Sequence, residues 1–384
     1  MSTLIRALVD ATAVPDDLGG VGRYVTGFVE SFRSSAVELH VVAKPGPQAD
    51  WFESHAAGVV VHRAPAALRR TPVRLVWEQL GLPLLARRIG ADVIHSPHYT
   101  LPLLTRRRRV VTLHDATFFS DPDWHIPTKA RFFRLWTRLA LRLADAVVTP
   151  SQATADEVQR LVGRTPRLLR VAPLGVDRTV FREPTGAEVG RLRDELGLGD
   201  DPYVAFLGTI EPRKNVPALI EAVSRFSTER VAAGLRPWTL VVAGARGWDS
   251  ETDGAVAAAP DLQRIVVTGY LPLEQLSAYL GGAECVAYPS LGEGFGLPVI
   301  EALACGAPVI TTERLSLAEV GGDAVDYTGV SAAEIAATLE RVAAPGVDRA
   351  ARRTRGLARA AEFTWTRCAA VHDDVYQAAA RGTP

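Results

Sequence analysis

The chain of 384 residues reads as an α/β protein built from two doubly wound domains facing across a cleft. Three observations predict this. Short apolar runs alternate with helical patterns along most of the length, the mark of parallel sheets covered by helices on both faces. The alternation lapses between residues 180 and 201, where Pro, Gly and charge mix as in a linker, and then restarts. The length also exceeds what one typical core holds and suits two.

Taken in order, residues 4–9 form a first strand, followed by a loop ending Leu18-Gly19-Gly20-Val21-Gly22. Tyr24, Val25, Phe28, Val29 and Phe32 then repeat at a helical period. Strands follow at 37–43 and 58–62. A helical pattern covers 71–88, where Pro83 is expected to bend or break it. Strands at 91–96 and 110–114, a long helix at 127–143, a strand at 146–149 and a helix capped by Ser151 come next. A strand at 168–172 ends the first half at Pro173-Leu174-Gly175-Val176-Asp177. The second half has strands at 203–207, 239–243, 264–268, 284–288 and 307–311, with helices at 216–226 and 272–280. Further helices lie near Leu317, at 331–342 and beyond Asp348.

Composition bounds the function. Hydrophobic residues make up 47% and charged residues 22%, as in a soluble globular protein. Cations and carboxylates both number 43 and the isoelectric point is near 7.1, so no global basic field points to nucleic acid. The only lysines are Lys44, Lys129 and Lys214, a bias expected of a GC-rich bacterial genome. Cys285, Cys305 and Cys368 are scattered without metal-type spacing and fit a reducing cytoplasm. The first ten residues lack the basic start and long apolar core of a secretory signal. No uncharged run nears the ~20 residues of a membrane-spanning helix. The expectation is a cytoplasmic protein, at most peripheral on the inner face of the cell membrane.

Two stretches of the second half concentrate chemistry. Residues 289–308 read PSLGEGFGLPVIEALACGAP, a loop carrying Glu293 that turns through Gly294, Phe295, Gly296 and Leu297 into a helix carrying Glu301. Such a helix start offers backbone N–H groups and a positive dipole end to phosphate or sugar oxygens. Pro298 suits the first turn, where a missing N–H costs nothing. Gly208-Thr209-Ile210-Glu211-Pro212-Arg213-Lys214-Asn215 follows a strand directly, where open α/β sheets collect ligands. Arg213 can fork two phosphate oxygens and Lys214 adds a point charge. In the first half, Gly19 and Gly20 follow the first strand but do not complete the dinucleotide pattern, because Val25 takes the third glycine position. His114 and Asp115 end the strand at 110–114.

The E-G-F-G-L-P-x-x-E spacing of Glu293 and Glu301, with the G-T-x-E-P-R-K-N segment, resembles the paired-glutamate motif of retaining GT-B glycosyltransferases. The closest motifs are those of the nucleotide-sugar-dependent mannosyl-, glucosyl- and rhamnosyltransferases of family 4, also called group 1. The resemblance implies two Rossmann-like domains. Residues 1–176 would be the acceptor side, 177–362 the donor side, and 363–384 a C-terminal helix packing back on the first domain. It implies that Arg213 and Lys214 bind the donor diphosphate, that Glu301 holds the ribose hydroxyls, and that Glu293 faces the transferred sugar, helped by backbone N–H groups from Gly294 to Leu297. It places backbone of Gly19, Gly20 and Gly208 near the donor, Tyr270 near the base and His114 at the reaction centre. The electrostatics agree, since carboxylates accept sugar hydroxyls and repel phosphates.

The implied activity is retaining transfer of a hexose, mannose favoured, from a nucleotide-diphosphate sugar such as GDP-mannose. The acceptor would be a glycan, lipid-linked or small-molecule hydroxyl, in bacterial polysaccharide or glycolipid synthesis. A front-face route, in which the leaving phosphate takes the acceptor proton, is expected, with no metal and no other cofactor. Two other readings are a two-domain nucleotide-sugar epimerase, separated by needing no acceptor, and a nonenzymatic sugar-binding protein, disfavoured by the missing export signal. His95, His98, His125 and Asp123-Trp124 could line the acceptor site or be buried structure, and structure is preferred for each singly. The arginines from Arg69 to Arg109, with Leu75, Val76, Trp77, Leu80, Leu82, Leu84 and Leu85 among them, fit either an interfacial face toward anionic lipid or an ordinary amphipathic helix with a solvated edge. The second reading is preferred on sequence grounds.

Overall fold

A computed structural model describes residues 4–14, 19–164, 166–261 and 264–382. The chain forms two compact units, Met1–Gly175 with Thr364–Pro384, and Val176–Phe363. The first holds strands β1 (Ile5–Asp10), β2 (Val37–Ala43), β3 (Val60–Arg63), β4 (Val93–Ser96), β5 (Arg108–Thr112), β6 (Ala146–Thr149) and β7 (Leu169–Val171) in the order β3-β2-β1-β4-β5-β6-β7. The second holds β8 (Tyr203–Leu207), β9 (Thr239–Ala243), β10 (Ile265–Gly269), β11 (Cys285–Tyr288), β12 (Val309–Thr312) and β13 (Asp326–Thr328) in the order β10-β9-β8-β11-β12-β13. Every described pairing is parallel. The inner strands β6, β8, β9 and β11 are buried throughout, and the edge strands β3, β7, β10 and β13 are not. That is why the inner strands read as unbroken apolar runs.

Strand order reverses between β1 and β4 in one sheet and between β8 and β11 in the other. At such a switch point the connections leave in opposite directions and open a crevice beyond the strand ends. The loops after β8 and β11 are the two stretches singled out above.

Several elements differ from expectation. Residues 180–201 are not a linker. They contain the helix Gly186–Glu195, opened by a capping box in which Thr185 and Glu188 satisfy each other's backbone N–H groups, and the crossing between units comes earlier, at Gly175. The helix Thr71–Ile89 runs through Pro83 without breaking. The pattern at 272–280 divides into a 3-10 turn, Leu273–Gln275, and the helix Leu276–Gly281. Leu18, expected in the first glycine loop, lies outside the described residues, and the helix there begins already at Gly20.

The C-terminal helix Trp365–Arg381 belongs to the first unit and lies against β1, β4, β5 and the helix Gly20–Glu30. Gly27 permits this, since a Cβ there would stand 2.3 Å from the Trp365 ring. Phe28 stacks on His372 at 4.5 Å. Beneath the helix runs a buried hydrogen-bond chain whose direction can be deduced. The carbonyl of Cys368 can only accept, so His372 donates to it from Nδ1 (2.8 Å). Burial lowers the His372 pKa to about 4, so the ring is neutral and its Nε2 accepts from the Tyr24 hydroxyl (2.7 Å). Tyr24 then accepts from Thr112 (2.7 Å), Thr112 from His95 Nε2 (2.8 Å), and His95 Nδ1 from Tyr376 (2.7 Å). Each group spends its single proton once.

Candidate active site

The loop after β8 is an extension of the sheet before it turns. Gly208 and Ile210 donate to the carbonyls of Ala243 and Ala245 at 2.9 and 3.0 Å, and Ile210 bridges to Arg246. This close approach is what Gly244 and Gly247 allow, because a Cβ on either would stand 2.1 Å from the carbonyl oxygen of Gly208 or Ile210. The chain then makes a 3-10 turn, Pro212–Lys214, and reverses at Asn215, whose φ is +58°. Asn tolerates that left-handed conformation better than most residues. Its side chain is tied to the Val330 carbonyl at 2.8 Å, and the helix Val216–Ala232 follows.

The loop after β11 is sewn to this turn. Leu291 N and Ser290 Oγ both donate to the Arg213 carbonyl, at 2.7 and 3.0 Å. Thr312 Oγ1 at the end of β12 donates to the Ser290 carbonyl (2.6 Å), and Ser316 Oγ to those of Glu293 (2.8 Å) and Phe295 (2.9 Å). Gly296 has φ +106° and opens the helix Leu297–Ala304. A Cβ there would meet the Leu317 side chain at 2.7 Å, so glycine is required on two counts. Glu301 is buried at the fifth position of that helix.

These two loops bring Arg213, Lys214 and Glu293 together in a buried charged cluster. Glu293 receives Lys214 Nζ and Tyr288 (2.9 Å) and Ser290 (2.7 Å) on Oε1, and Arg213 on Oε2. Lys214 also donates to the Tyr288 hydroxyl. Arg213 reaches Glu211 as well, at 2.6 Å. Two cations and two carboxylates thus balance. Burial by itself would raise the Glu293 pKa, but Arg213 and Lys214, with the hydrogen bonds from Lys214 and Ser290, bring it down to about 2. Burial, with Arg213 beside it, lowers the Lys214 pKa, while Glu293 and Glu211 oppose that. The expectation put Glu293 at sugar oxygens and left the phosphates to Arg213 and Lys214. In the structure Glu293 pairs with both cations, because buried ions without a partner are costly and the opposite charges are the nearest partners.

The remaining expected residues fall outside this cluster. Tyr270 follows β10, two strands from β8, and is 68% exposed. Gly19, Gly20 and His114 belong to the first unit. A Cβ on Gly19 or Gly20 would meet nothing within 4 Å among the described residues, so packing does not demand glycine at either. His114 lies two residues beyond the end of β5, not within the strand. Its Nε2 donates to the Pro97 carbonyl at 2.7 Å and burial lowers its pKa, which leaves a neutral ring with Nδ1 as an acceptor. Asp115 caps the following turn, accepting from Thr117 N (3.3 Å) and Oγ1 (3.0 Å). Sequence reasoning missed Tyr288 and Ser290, as well as Gly244 and Gly247. A G-x-x-G straight after a strand was the one available signal, and it marked the second pair.

Comparisons with known proteins give the family and the fold. Residues 18–180 match the family model described as Glycosyltransferase Family 4, and residues 189–344 match that of Glycosyl transferases group 1. The chain is 31% identical over 312 residues to O-antigen chain mannosyltransferase B of Escherichia coli, covering 79% of this chain and 80% of that protein. It is 34% identical over 250 residues to D-inositol 3-phosphate glycosyltransferase of Segniliparus rotundus, covering 62% of this chain and 53% of that relative. Among solved structures, HepE of Anabaena in complex with UDP and glucose superimposes with a TM-score of 0.74 at 18% identity, covering 97% of this chain and 100% of that one. WaaG, a glycosyltransferase involved in lipopolysaccharide biosynthesis, gives 0.72 at 14%, covering 97% and 99%. The two parallel, helix-covered sheets are those of a GT-B glycosyltransferase. The chain belongs to the group 1, family 4 glycosyltransferases.

Proposed function

We propose that this glycosyltransferase moves a mannosyl residue, with retention, from GDP-mannose to an acceptor hydroxyl in polysaccharide or glycolipid synthesis. The observation that carries the donor site is the convergence of Arg213 and Lys214 at the switch point of the second sheet, held there by a carboxylate. Mannose is supported by relatives named as mannosyltransferases, including MMP alpha-(1->4)-mannosyltransferase of Mycolicibacterium hassiacum, 28% identical over 314 residues. An α linkage made from an α-configured sugar nucleotide is retention. Relatives named for D-inositol 3-phosphate and 2-deoxystreptamine show how widely acceptors differ among similar chains.

In this reading the donor diphosphate takes over Arg213 and Lys214, and Glu293 turns to the sugar hydroxyls. Backbone N–H groups from Gly294 to Leu297 assist, and the backbone at Gly208 lies close to the diphosphate. Glu301 accepts from the ribose, and Tyr270 lies toward the base. Gly19 and Gly20 let donor or acceptor approach the first unit's backbone, and His114 accepts a sugar hydroxyl at Nδ1. The anomeric carbon's bond to phosphate breaks as its bond to the acceptor oxygen forms on the same face, and the acceptor proton passes to the departing phosphate. The protein's work is to position the two partners and stabilise the leaving charge, which the two cations do without a metal.

The test is thermal unfolding with GDP, UDP, TDP or ADP, all at one shared concentration well above micromolar, where a ligand at about 100 times its dissociation constant adds ~2.7 kcal/mol. GDP is expected to give the clear shift, and the product formed from GDP-mannose should be the α anomer by NMR, with turnover unchanged by EDTA. A shift with UDP alone overturns the GDP assignment, and a β-linked product overturns retention. A well-folded sample that responds to none of the four refutes the donor site.

A further inference from the structure

The face of the first sheet turned away from the C-terminal helix carries a second surface. Register puts Leu8, Ile94, Val111 and Val147 on one side of that sheet. Leu82 and Ala86 of the helix Thr71–Ile89 share a core with Leu8 and Ile94, while Ala140 and Leu141 of the helix Pro127–Leu143 share one with Val111 and Val147. Both helices therefore cover the same face. The connection after β4 ties them together. Gln79 donates to the Leu101 carbonyl (3.1 Å) and accepts from Leu103 N (2.8 Å), and Leu101 is buried in the core under the second helix.

Outward, this layer combines two properties. Val76, Leu80 and Leu84 recur at helical spacing and are 60%, 53% and 66% exposed, with Leu104 on the tied connection at 66% and Leu135 on the second helix at 54%. Residues 69–142 also hold fourteen Lys and Arg against five Asp and Glu in a chain of zero net charge, twelve of those cations lying outside the strand β5, which takes Arg108 and Arg109. One of those carboxylates, Glu78, is buried and paired with Arg74 at 2.9 Å. Solvation accounts for the arginines but not for aliphatic side chains left in water between them. A soluble polyanion would use the charges and leave the leucines idle, and an apolar protein partner would do the reverse. A bilayer with anionic headgroups engages both, the leucines entering the acyl boundary while arginines meet phosphates at headgroup depth.

We propose that the exposed aliphatic and arginine face formed by the helices Thr71–Ile89 and Pro127–Leu143 is a docking surface for an anionic lipid bilayer. It reverses the preference drawn from sequence, because an ordinary amphipathic helix would bury its aliphatic side chains as it does Leu82, whereas Val76, Leu80 and Leu84 stand in water. Among the described residues no helix is long and apolar enough to cross a membrane, so the contact is interfacial.

The test is co-flotation of the full chain, without nucleotide, with vesicles of phosphatidylcholine alone or mixed about three to one with phosphatidylglycerol. Capture by the anionic vesicles should exceed that by neutral ones at least ~10-fold and fall as salt rises. Leu80→Ser with Leu84→Ser should lower capture roughly tenfold at an unchanged melting temperature, since both side chains already stand in water. Arg87→Gln and Arg88→Gln, with Arg106→Gln and Arg107→Gln, should remove the preference for anionic vesicles. Equal capture by both vesicle types, or capture by neither, overturns the proposal. So does a folded leucine variant that floats like the parent, because the aliphatic stripe would then contribute nothing to the contact.

Discussion

The molecule contains two buried polar clusters, and they are built on opposite principles. Under the C-terminal helix, Tyr376, His95, Thr112, Tyr24 and His372 form a neutral chain in which every proton has one destination. At the switch point of the second sheet, Glu211, Arg213, Lys214 and Glu293 form a charged group whose balance depends on pairing. A neutral chain with every donor and acceptor matched has nothing left to offer a ligand, and changing one member leaves a buried group unsatisfied. A balanced charged cluster differs, because an incoming anion can replace one carboxylate and keep the cations satisfied. The first cluster is suited to hold an element in place, the second to exchange partners.

The largest expected effect falls on the charged cluster. Lys214→Ala should lower turnover ~10²–10³-fold, as loss of a group that stabilises leaving charge does. It should also reduce stability, because Glu293 stays buried with one cation fewer. Turnover near that of the parent would turn the cluster into a structural ion group and erase the contrast. Acid should act instead on the neutral chain. The folded His372 pKa, about 4, lies below the ordinary 6.5, so the unfolded chain binds more protons between the two. The stabilisation is complete above pH 6.5 and is lost as pH falls to about 4, worth ~3 kcal/mol at 1.36 kcal/mol per pKa unit. His95, held well below its ordinary value by burial and by His372, acts in the same direction. Chemical denaturation across that window should show the slope, and His372→Phe should flatten it.

Tyr24→Phe leaves the Thr112 proton and His372 Nε2 without partners and should cost ~2–3 kcal/mol. Nucleotide affinity should not change, and a large change would mean the neutral chain also serves the ligand. Within the donor site, Glu301→Ala should weaken nucleoside diphosphate binding ~10-fold through lost bonds to the ribose, with inorganic pyrophosphate bound as before. Equal weakening of both ligands in calorimetry would remove Glu301 from the ribose. The smallest effect sharpens the idea of exchange. Glu293→Gln frees the cations from their internal anion, so pyrophosphate affinity should rise by a factor of about 3–10 while sugar transfer slows. Weaker pyrophosphate binding would show that Glu293 orients Arg213 and Lys214 instead of competing for them.

Much of the frame was legible in the sequence because buried parallel strands leave an unmistakable apolar trace. The strands Val37–Ala43, Ala146–Thr149, Tyr203–Leu207 and Thr239–Ala243 and the helix Pro127–Leu143 were readable to the residue. The strand β13 was not, since three partly exposed residues at a sheet edge make no apolar run. Gly186–Glu195 was hidden by its Gly and charge content, although Thr185 and Glu188 carried a capping-box spacing that could have marked it. In the candidate site, the loops after β8 and β11 could be picked out by their glycines and charges. That Glu293 would sit between Arg213 and Lys214, and that Tyr288 and Ser290 would join it, depends on loops about 80 residues apart meeting at one switch point. No local pattern encodes that meeting. His95 was rightly read as structural, but its partners His372 and Tyr376 come from the far end of the chain.

That distant partnership bears on how the protein is made. Most of the first unit is translated before the second, yet the helix that covers His95 and Thr112 follows everything from Val176 to Phe363. At about 5–20 residues per second the ribosome takes roughly 10–40 s to supply it. During that interval the nascent first unit lacks the acceptor for the Tyr24 proton and bares the side chains that Trp365 and His372 later cover. The second unit, continuous in the chain, can close before the one that precedes it. The order of completion inverts the order of translation, and a chaperone that shields nascent chains would find its longest-lived target in the N-terminal half.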